Sequence, residues 1–186
     1  MKKIIIIASA LFFLGCNSST NSKTDNATTG NTSTATTKTD AATSGLPGTE
    51  ITLTLKGGAN AGSYSARSVD PTCSEGLTGD NSFGNQYSVK GKADNELSSL
   101  QLIIDDKNAA KKGTDKFSIM VGFGKLAGGK TYEINTRDNS KEGSGKATLT
   151  ETGHSKIVII EGKTADGIII LATITCHGVM TPNGIQ

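Results

Sequence analysis

The stretch IIILATITC, residues 168–176, is the part of the chain that most strongly indicates its fold. Side chains of an extended strand point alternately to its two faces, so Ile170, Ala172, Ile174 and Cys176 share one face. The other face also carries apolar residues, Ile169 and Leu171, and KIVIIEG, residues 156–162, is likewise apolar on both faces. We therefore predict two strands that lie in the centre of a sheet or are covered on both faces.

Strand patterns with one apolar face recur through residues 46–186. In ITLTL, residues 51–55, three aliphatic residues alternate with two threonines. Similar segments are LQLII (100–104), FSIMVGF (117–123), TYEIN (131–135) and KATLTE (146–151), with weaker ones in SYSARS (63–68) and QYSVKG (86–91). Gly, Asn and Asp cluster between them, and only DDKNAAKKGTDK (105–116) suits a helical turn. This spacing predicts an all-β domain, either an antiparallel β-sandwich or a small β-barrel.

The residues before this domain have a different composition. Residues 17–45 contain no aromatic side chain and no aliphatic side chain larger than alanine. Such a segment cannot bury enough apolar surface to offset the entropy lost on ordering. We interpret residues 16–45 as a cysteine followed by a Ser/Thr/Asn-rich disordered tether, with a root-mean-square reach of about 30 Å.

The first fifteen residues have the three parts of a secretory signal peptide: a basic end at Lys2 and Lys3, a short apolar run and a small residue. Leu14-Gly15-Cys16 resembles the lipobox of bacterial lipoprotein precursors, although Phe13 departs from the leucine most common at its position. The resemblance implies that residues 1–15 are removed. It also implies that Cys16 carries a diacylglycerol, with fatty acids such as palmitate, which anchors the chain to a membrane.

Charge argues against nucleic acid as a partner. The chain has 19 basic and 17 acidic residues, and removal of Lys2 and Lys3 leaves 17 of each. A mature chain with no net charge has no electrostatic attraction to a polyanion.

Two cysteines, Cys73 and Cys176, remain beside Cys16. In an exported chain a pair of cysteines is most simply a disulfide, so we predict that they are joined. The alternative is a metal site that adds His177, with or without His154. Metal sites usually show C-x-x-C or H-x-x-x-H spacing, and neither occurs here. We expect no metal and no cofactor.

The segment GKLAGGKT, residues 124–131, formally matches a phosphate-binding loop, but that chemistry needs a helix after the loop. A strand pattern follows instead, so we interpret the segment as a glycine-rich hairpin. A Ser-His-acid triad that includes His154 or His177 is conceivable, yet no G-x-S-x-G motif positions a nucleophile. We expect both histidines to lie at turns or strand ends, and the protein not to be an enzyme.

A stretch suited to recognition runs from Asp70 to Tyr87, DPTCSEGLTGDNSFGNQY, which also contains Phe83. We predict that it forms a long loop, because it lacks a clear strand pattern and long loops of this kind are often functional. Aromatic residues make up 4% of the chain and tryptophan is absent, which weakens a carbohydrate-binding interpretation.

The arrangement of lipidated cysteine, polar tether and β-rich body ending in IIILATITC loosely resembles the small lipoprotein antigens of mycobacteria. The resemblance implies a cell-envelope lipoprotein without enzymatic activity. We therefore expect a binding or interaction module outside the cytoplasm, for an unknown envelope or extracellular ligand. The alternatives are a carrier of a small apolar ligand inside a β-barrel and, less favoured, a secreted hydrolase.

Overall fold

A computed structural model describes residues 48–137 and 141–186 of the chain. The predicted signal peptide, Cys16 and the whole predicted tether lie outside the described residues. Those that are described form two β-sheets with a packed core between them. The prediction of an all-β domain is confirmed, and of the two predicted architectures the structure is the β-sandwich.

The first sheet contains five antiparallel strands, numbered in chain order through the whole structure, in the spatial order β2-β1-β10-β9-β8. Their bounds are β1 Thr49–Lys56, β2 Gly62–Ser68, β8 Ser144–Thr152, β9 Ser155–Lys163 and β10 Ile169–Cys176. The two segments that are apolar on both faces, 156–162 and 168–176, form the interior strands β9 and β10, as predicted. Their outward residues Ile159 and Ile169 stay partly exposed, at 42% and 37%.

The second sheet contains seven strands in the order β12-β11-β3-β4-β5-β6-β7, all antiparallel except the pair of β11 with β3. Their bounds are β3 Cys73–Glu75, β4 Phe83–Ser88, β5 Leu97–Ile104, β6 Phe117–Phe123, β7 Lys130–Asn135, β11 Val179–Thr181 and β12 Gly184–Ile185. A single helical turn, α1 Lys107–Ala110, begins after Asp106, whose side chain accepts hydrogen bonds from two backbone N–H groups.

Strands of the first sheet cross those of the second at a large angle. At its start β1 meets β3, where Thr49 Oγ1 lies 3.7 Å from Cys73 Sγ. The turn that follows β1 reaches β7, where the backbone N–H of Asn60 donates to the hydroxyl of Tyr132 at 3.2 Å. Because β3 and β7 are four positions apart in their sheet, β1 and its turn cross five strands of the second sheet, from β3 to β7, as in orthogonally packed sandwiches.

Inward-facing side chains fill the space between the sheets. Phe117, Ile119 and Val121 of β6 are completely buried, as are Ile170 and Ile174 of β10, and all belong to one hydrophobic cluster. These are the residues that would have to line a cavity if the domain enclosed an apolar ligand. They pack instead against each other in a continuous core.

The disulfide between Cys73 and Cys176 is confirmed, and it joins the two sheets. Cys73 begins β3 and Cys176 ends β10, with their Cα atoms 6.1 Å apart and 103 residues apart in sequence. Both cysteines are fully buried. The cross-link therefore fixes the end of the central strand of the first sheet to a short strand of the second.

The prediction that residues 70–87 form a long loop is wrong. This stretch contains β3 and most of β4. Its strands carry residues of low β propensity, among them Gly84 and Asn85, and are held by pairing with their neighbours. Asn85 is buried and donates to Thr72 Oγ1 at 2.5 Å, so its polar side chain is satisfied inside the fold. Phe83 is fully buried and is a core residue, not a recognition residue.

Candidate functional site

Strand β2 is an edge of the first sheet, paired on one side only, with β1. The carbonyl of Gly48, just before β1, accepts a hydrogen bond from the His177 N–H at 2.8 Å, so Gly48 faces β10. Residues of an antiparallel strand alternate in the side to which they direct both backbone groups. The backbone groups of Thr49 therefore point towards β2, where its register partner is Ser68.

This alternation assigns the open edge to three residues. The backbone N–H and C=O groups of Ser68 point towards β1, and so do those of the residues two and four positions before it. The backbone groups of Ser63, Ser65 and Arg67 therefore point the other way. Among the described residues, none of these three takes part in a backbone hydrogen bond outside the strand pairing. Three N–H and three C=O groups thus line an unpaired edge.

The opposite edge of the first sheet is partly covered. Strand β8 exchanges two backbone hydrogen bonds with Thr114, at 2.9 and 2.8 Å, through Ala147. Edge β7 of the second sheet has a similar bridge between Asn135 and Glu142. Within residues 48–137 and 141–186, no comparable bridge is found on β2.

A cleft of about 540 Å³ opens beside β2, and we call it the edge cleft. It lies between β2 and the hairpin that joins β4 to β5 in the second sheet. Its walls are formed by 63–67 of β2, by Tyr87 and Val89 near the end of β4, and by Lys92 and 95–97 of the hairpin. Crossing of the two sheets creates this space, because the hairpin extends past the edge of the first sheet.

Apolar side chains form part of the edge cleft and charged side chains surround them. Tyr87 and Leu97 are buried, Val89 is half-buried, and burial raises the pKa of the Tyr87 hydroxyl. Arg67 lies 4.0 Å from a carboxylate oxygen of Glu50, and Lys92 lies 3.8 Å from Glu96. Such long, exposed ion pairs contribute little to stability, so these charges can be used for binding at small energetic cost.

A second cavity, of about 470 Å³, adjoins the edge cleft and shares Asn95 with it. Its far wall is the glycine-rich turn at 128–130, which belongs to the segment GKLAGGKT. That turn joins β6 to β7 as a hairpin, as predicted, and a strand follows it where a phosphate-binding loop needs a helix. Buried Asn60 anchors the floor of the cavity, since its Oδ1 accepts a hydrogen bond from the Tyr132 hydroxyl at 3.0 Å.

Both histidines are exposed, as predicted for turns or strand ends: His154 lies in the turn between β8 and β9, and His177 directly follows β10. His177 has a serine and an acid near its ring: Ser155 Oγ lies 3.3 Å from Nδ1, and Glu50 Oε1 lies 3.8 Å from Nε2. The second distance exceeds a hydrogen bond. The three side chains lie on the outer face of the first sheet, and His177 and Ser155 do not border the edge cleft. The arrangement is therefore separate from the edge cleft.

The alternative of a metal site at Cys73 and Cys176 is excluded for these sulfur atoms, because they are bonded to each other. In the described part of the chain, no group of three or more His, Cys, Asp or Glu side chains is placed to hold a metal ion. The same part contains no helix long and apolar enough to span a membrane.

The structure separates the residues that were grouped as a recognition loop. Asp70 is exposed beyond the end of β2, Phe83 is in the core, and only Tyr87 borders the edge cleft. Sequence reasoning missed the other cleft residues. The signal that was available is the weak pattern SYSARS, which is too polar for a strand that is covered on both faces.

Comparison of the chain with protein-family models, with curated proteins and with solved structures finds no significant match.

Proposed function

We propose that this protein is a lipid-anchored lipoprotein of the bacterial cell envelope, and that its β-sandwich is a non-enzymatic binding module which uses the edge cleft. The edge cleft is the observation that carries the proposal. It combines an unpaired strand, limited apolar surface from Tyr87, Val89 and Leu97, and charged side chains that are only weakly paired. Binding sites are commonly concave and carry a few polar groups that orient the ligand.

The packed core favours this function over that of an apolar carrier. A carrier would need a cavity lined by the inward residues of β6 and β10, and those residues are buried against each other. A hydrolase is supported less well, since Ser155, His177 and Glu50 form an exposed group with one contact of 3.8 Å. Catalysis by a serine needs a close base and a site that positions the substrate.

Anchoring follows from the lipobox-like Leu14-Gly15-Cys16 and can be tested separately from binding. Cys16→Ser removes the only sulfur to which a diacylglycerol would be attached, so the variant should move from the detergent phase to the aqueous phase. Asn17→Ser is the matched control and should stay in the detergent phase. Mass spectrometry of the native N-terminal peptide should give the mass of a lipid-modified cysteine. The proposal would be contradicted if Cys16→Ser partitioned into detergent like the native chain and the native N-terminal peptide carried no lipid.

Use of the edge cleft can be tested with two tryptophan substitutions. Asn95 lies between the two cavities, so Asn95→Trp should obstruct them. Gln101→Trp places the same side chain on the exposed outer face of β5 and is the control. The mature chain, carrying Cys16→Ser for solubility and a fluorescent label, should bind saturably to isolated cell envelopes. Asn95→Trp should weaken this binding at least tenfold while Gln101→Trp leaves it unchanged. Equal binding by both variants would exclude the edge cleft as the binding surface.

A further inference from the structure

We infer that the ligand of the edge cleft is a polypeptide segment in extended conformation, which binds by adding a strand to β2. The inference rests on the proposed binding function of the cleft and names its ligand class. Its basis is the set of three residues, Ser63, Ser65 and Arg67, whose backbone groups face away from β1. An extended peptide offers N–H and C=O groups at the spacing that these six groups require.

Within the described part of the chain, the edge of β2 lacks most of the features that usually prevent strand addition. Proteins protect exposed edges with proline, with bulges, with very short strands or with a covering loop. Strand β2 runs for seven residues, contains no proline and pairs with β1 in an unbroken register. Arg67 is its only charged residue. An edge this regular can accept about five to seven residues of a partner strand.

The edge cleft provides side-chain contacts for such a strand. On β2 the half-buried Tyr64 and Ala66 point towards the second sheet, and residues directly opposite them in an added strand would point the same way. Every second side chain of the ligand would then enter the space beside Val89 and Leu97. The remaining side chains would face solvent beside Ser65 and Arg67. We therefore expect a ligand with apolar residues at alternate positions.

The test uses two substitutions at one position of the mature chain carrying Cys16→Ser. Proline is tolerated at an edge where its missing N–H would face solvent, so Ser65→Pro removes an edge donor without breaking a hydrogen bond to β1. Ser65→Ala removes only the hydroxyl and is the control. The probe is a display library of nine-residue peptides in which threonine alternates with a randomised position. Peptides are selected on the mature Cys16→Ser chain that retains Ser65. They should bind Ser65→Ala equally well and Ser65→Pro at least tenfold more weakly. Both variants should melt close to the melting temperature of the chain that retains Ser65.

A second measurement does not depend on any variant of the protein. A selected peptide is synthesised with N-methyl groups on its odd or on its even residues. Methylation of the set whose N–H groups face β2 should abolish binding, and methylation of the other set should preserve it. Equal effects of both sets, equal binding by Ser65→Pro and Ser65→Ala, or a library without binders would each overturn strand addition.

Failure of this inference can be distinguished from failure of the proposed function. If envelope binding is lost in Asn95→Trp but unaffected by Ser65→Pro, the cleft binds a ligand of another class and only strand addition is wrong. If the chain itself forms a dimer that Ser65→Pro dissociates, the occupant is a second copy and the peptide ligand is wrong. If Asn95→Trp has no effect on envelope binding, the proposed function fails.

Discussion

Removal of the Cys73–Cys176 disulfide should lower the free energy of unfolding by about 4 kcal/mol. The bond closes a chain segment of 103 residues. In the loop-entropy model a cross-link over about 100 residues contributes roughly 4.7 kcal/mol, because it restricts the unfolded chain. The Cα separation of 6.1 Å lies within the usual range for disulfides. For a domain of this size the loss corresponds to a fall in melting temperature of roughly 10 to 20 °C.

The double variant Cys73→Ala, Cys176→Ala and the reduced native chain both test this expectation, by thermal unfolding followed with circular dichroism. The control is native chain that has not been reduced. An alkylating reagent should not modify its two buried sulfurs, because they are bonded to each other. Hydrogen exchange should show the earliest loss of protection in β3, β11 and β12. These strands have three, three and two residues, and β11 pairs with β3. A double variant that melts within about 2 °C of the native chain would contradict the argument.

Local patterns were sufficient to predict the long strands. Alternation of apolar residues in ITLTL and FSIMVGF identified β1 and β6, because one face of each strand is buried. The run IIILATITC identified β10 as central and placed Cys176 on its inward face, where the structure has it. These properties depend on periods of two residues, which a single sequence displays directly.

Features that depend on distant partners were not predictable in the same way. Strands β3, β11 and β12 are too short to show alternation, and β3 pairs with β11, a segment about 100 residues away in the chain. The edge cleft depends on β2 lying at the edge of its sheet and on the crossing of the two sheets. Neither property is contained in the seven residues of β2. The buried Phe83 was misplaced for a related reason, since Gly84 and Asn85 beside it are poor strand formers.

A second large effect on stability is expected at the end of β3, where Glu75 joins parts of both sheets. Its carboxylate accepts hydrogen bonds from Lys107 of α1, at 2.5 Å, and from Lys156 of β9. Lys156 also contacts Glu151 of β8 at 3.0 Å, and Glu151 contacts Lys111 at 2.9 Å. The side chain of Glu75 is only 12% exposed, whereas that of Glu151 is 38% exposed. Glu75 is therefore the least solvated acid of this network.

Glu75→Gln should lower the free energy of unfolding at neutral pH by about 2 kcal/mol. Removing one partner of a fully buried ion pair costs roughly 3 to 5 kcal/mol, because the other charge is left uncompensated. The expected loss is smaller here, since Lys107 and Lys156 keep some contact with water and Lys156 keeps Glu151. The matched control Glu151→Gln makes the same chemical change at an exposed acid and should cost no more than about 1 kcal/mol.

The same network should make stability depend on acid pH. Burial alone would raise the pKa of Glu75, but the hydrogen bonds and charges of Lys107 and Lys156 outweigh burial and hold that pKa below its ordinary value. Hydrogen bonds from Lys111 and Lys156 likewise lower the pKa of Glu151. An acid whose pKa is lower in the folded state stabilises the fold above its unfolded pKa, which is about 4.3 for glutamate. That stabilisation is lost as the pH falls through the folded-state pKa.

Urea unfolding of the disulfide-bonded chain between pH 7 and pH 2.5 measures this dependence. Stability of the native chain should decline below about pH 5, and Glu75→Gln should decline less steeply because it lacks the acid that becomes protonated. The two curves should therefore converge at low pH, where Glu75 of the native chain is neutral and resembles glutamine. A constant difference between the native chain and Glu75→Gln at every pH would mean that the substitution acts through packing. In that case the ion pairs of Glu75 would not be the source of its contribution to stability.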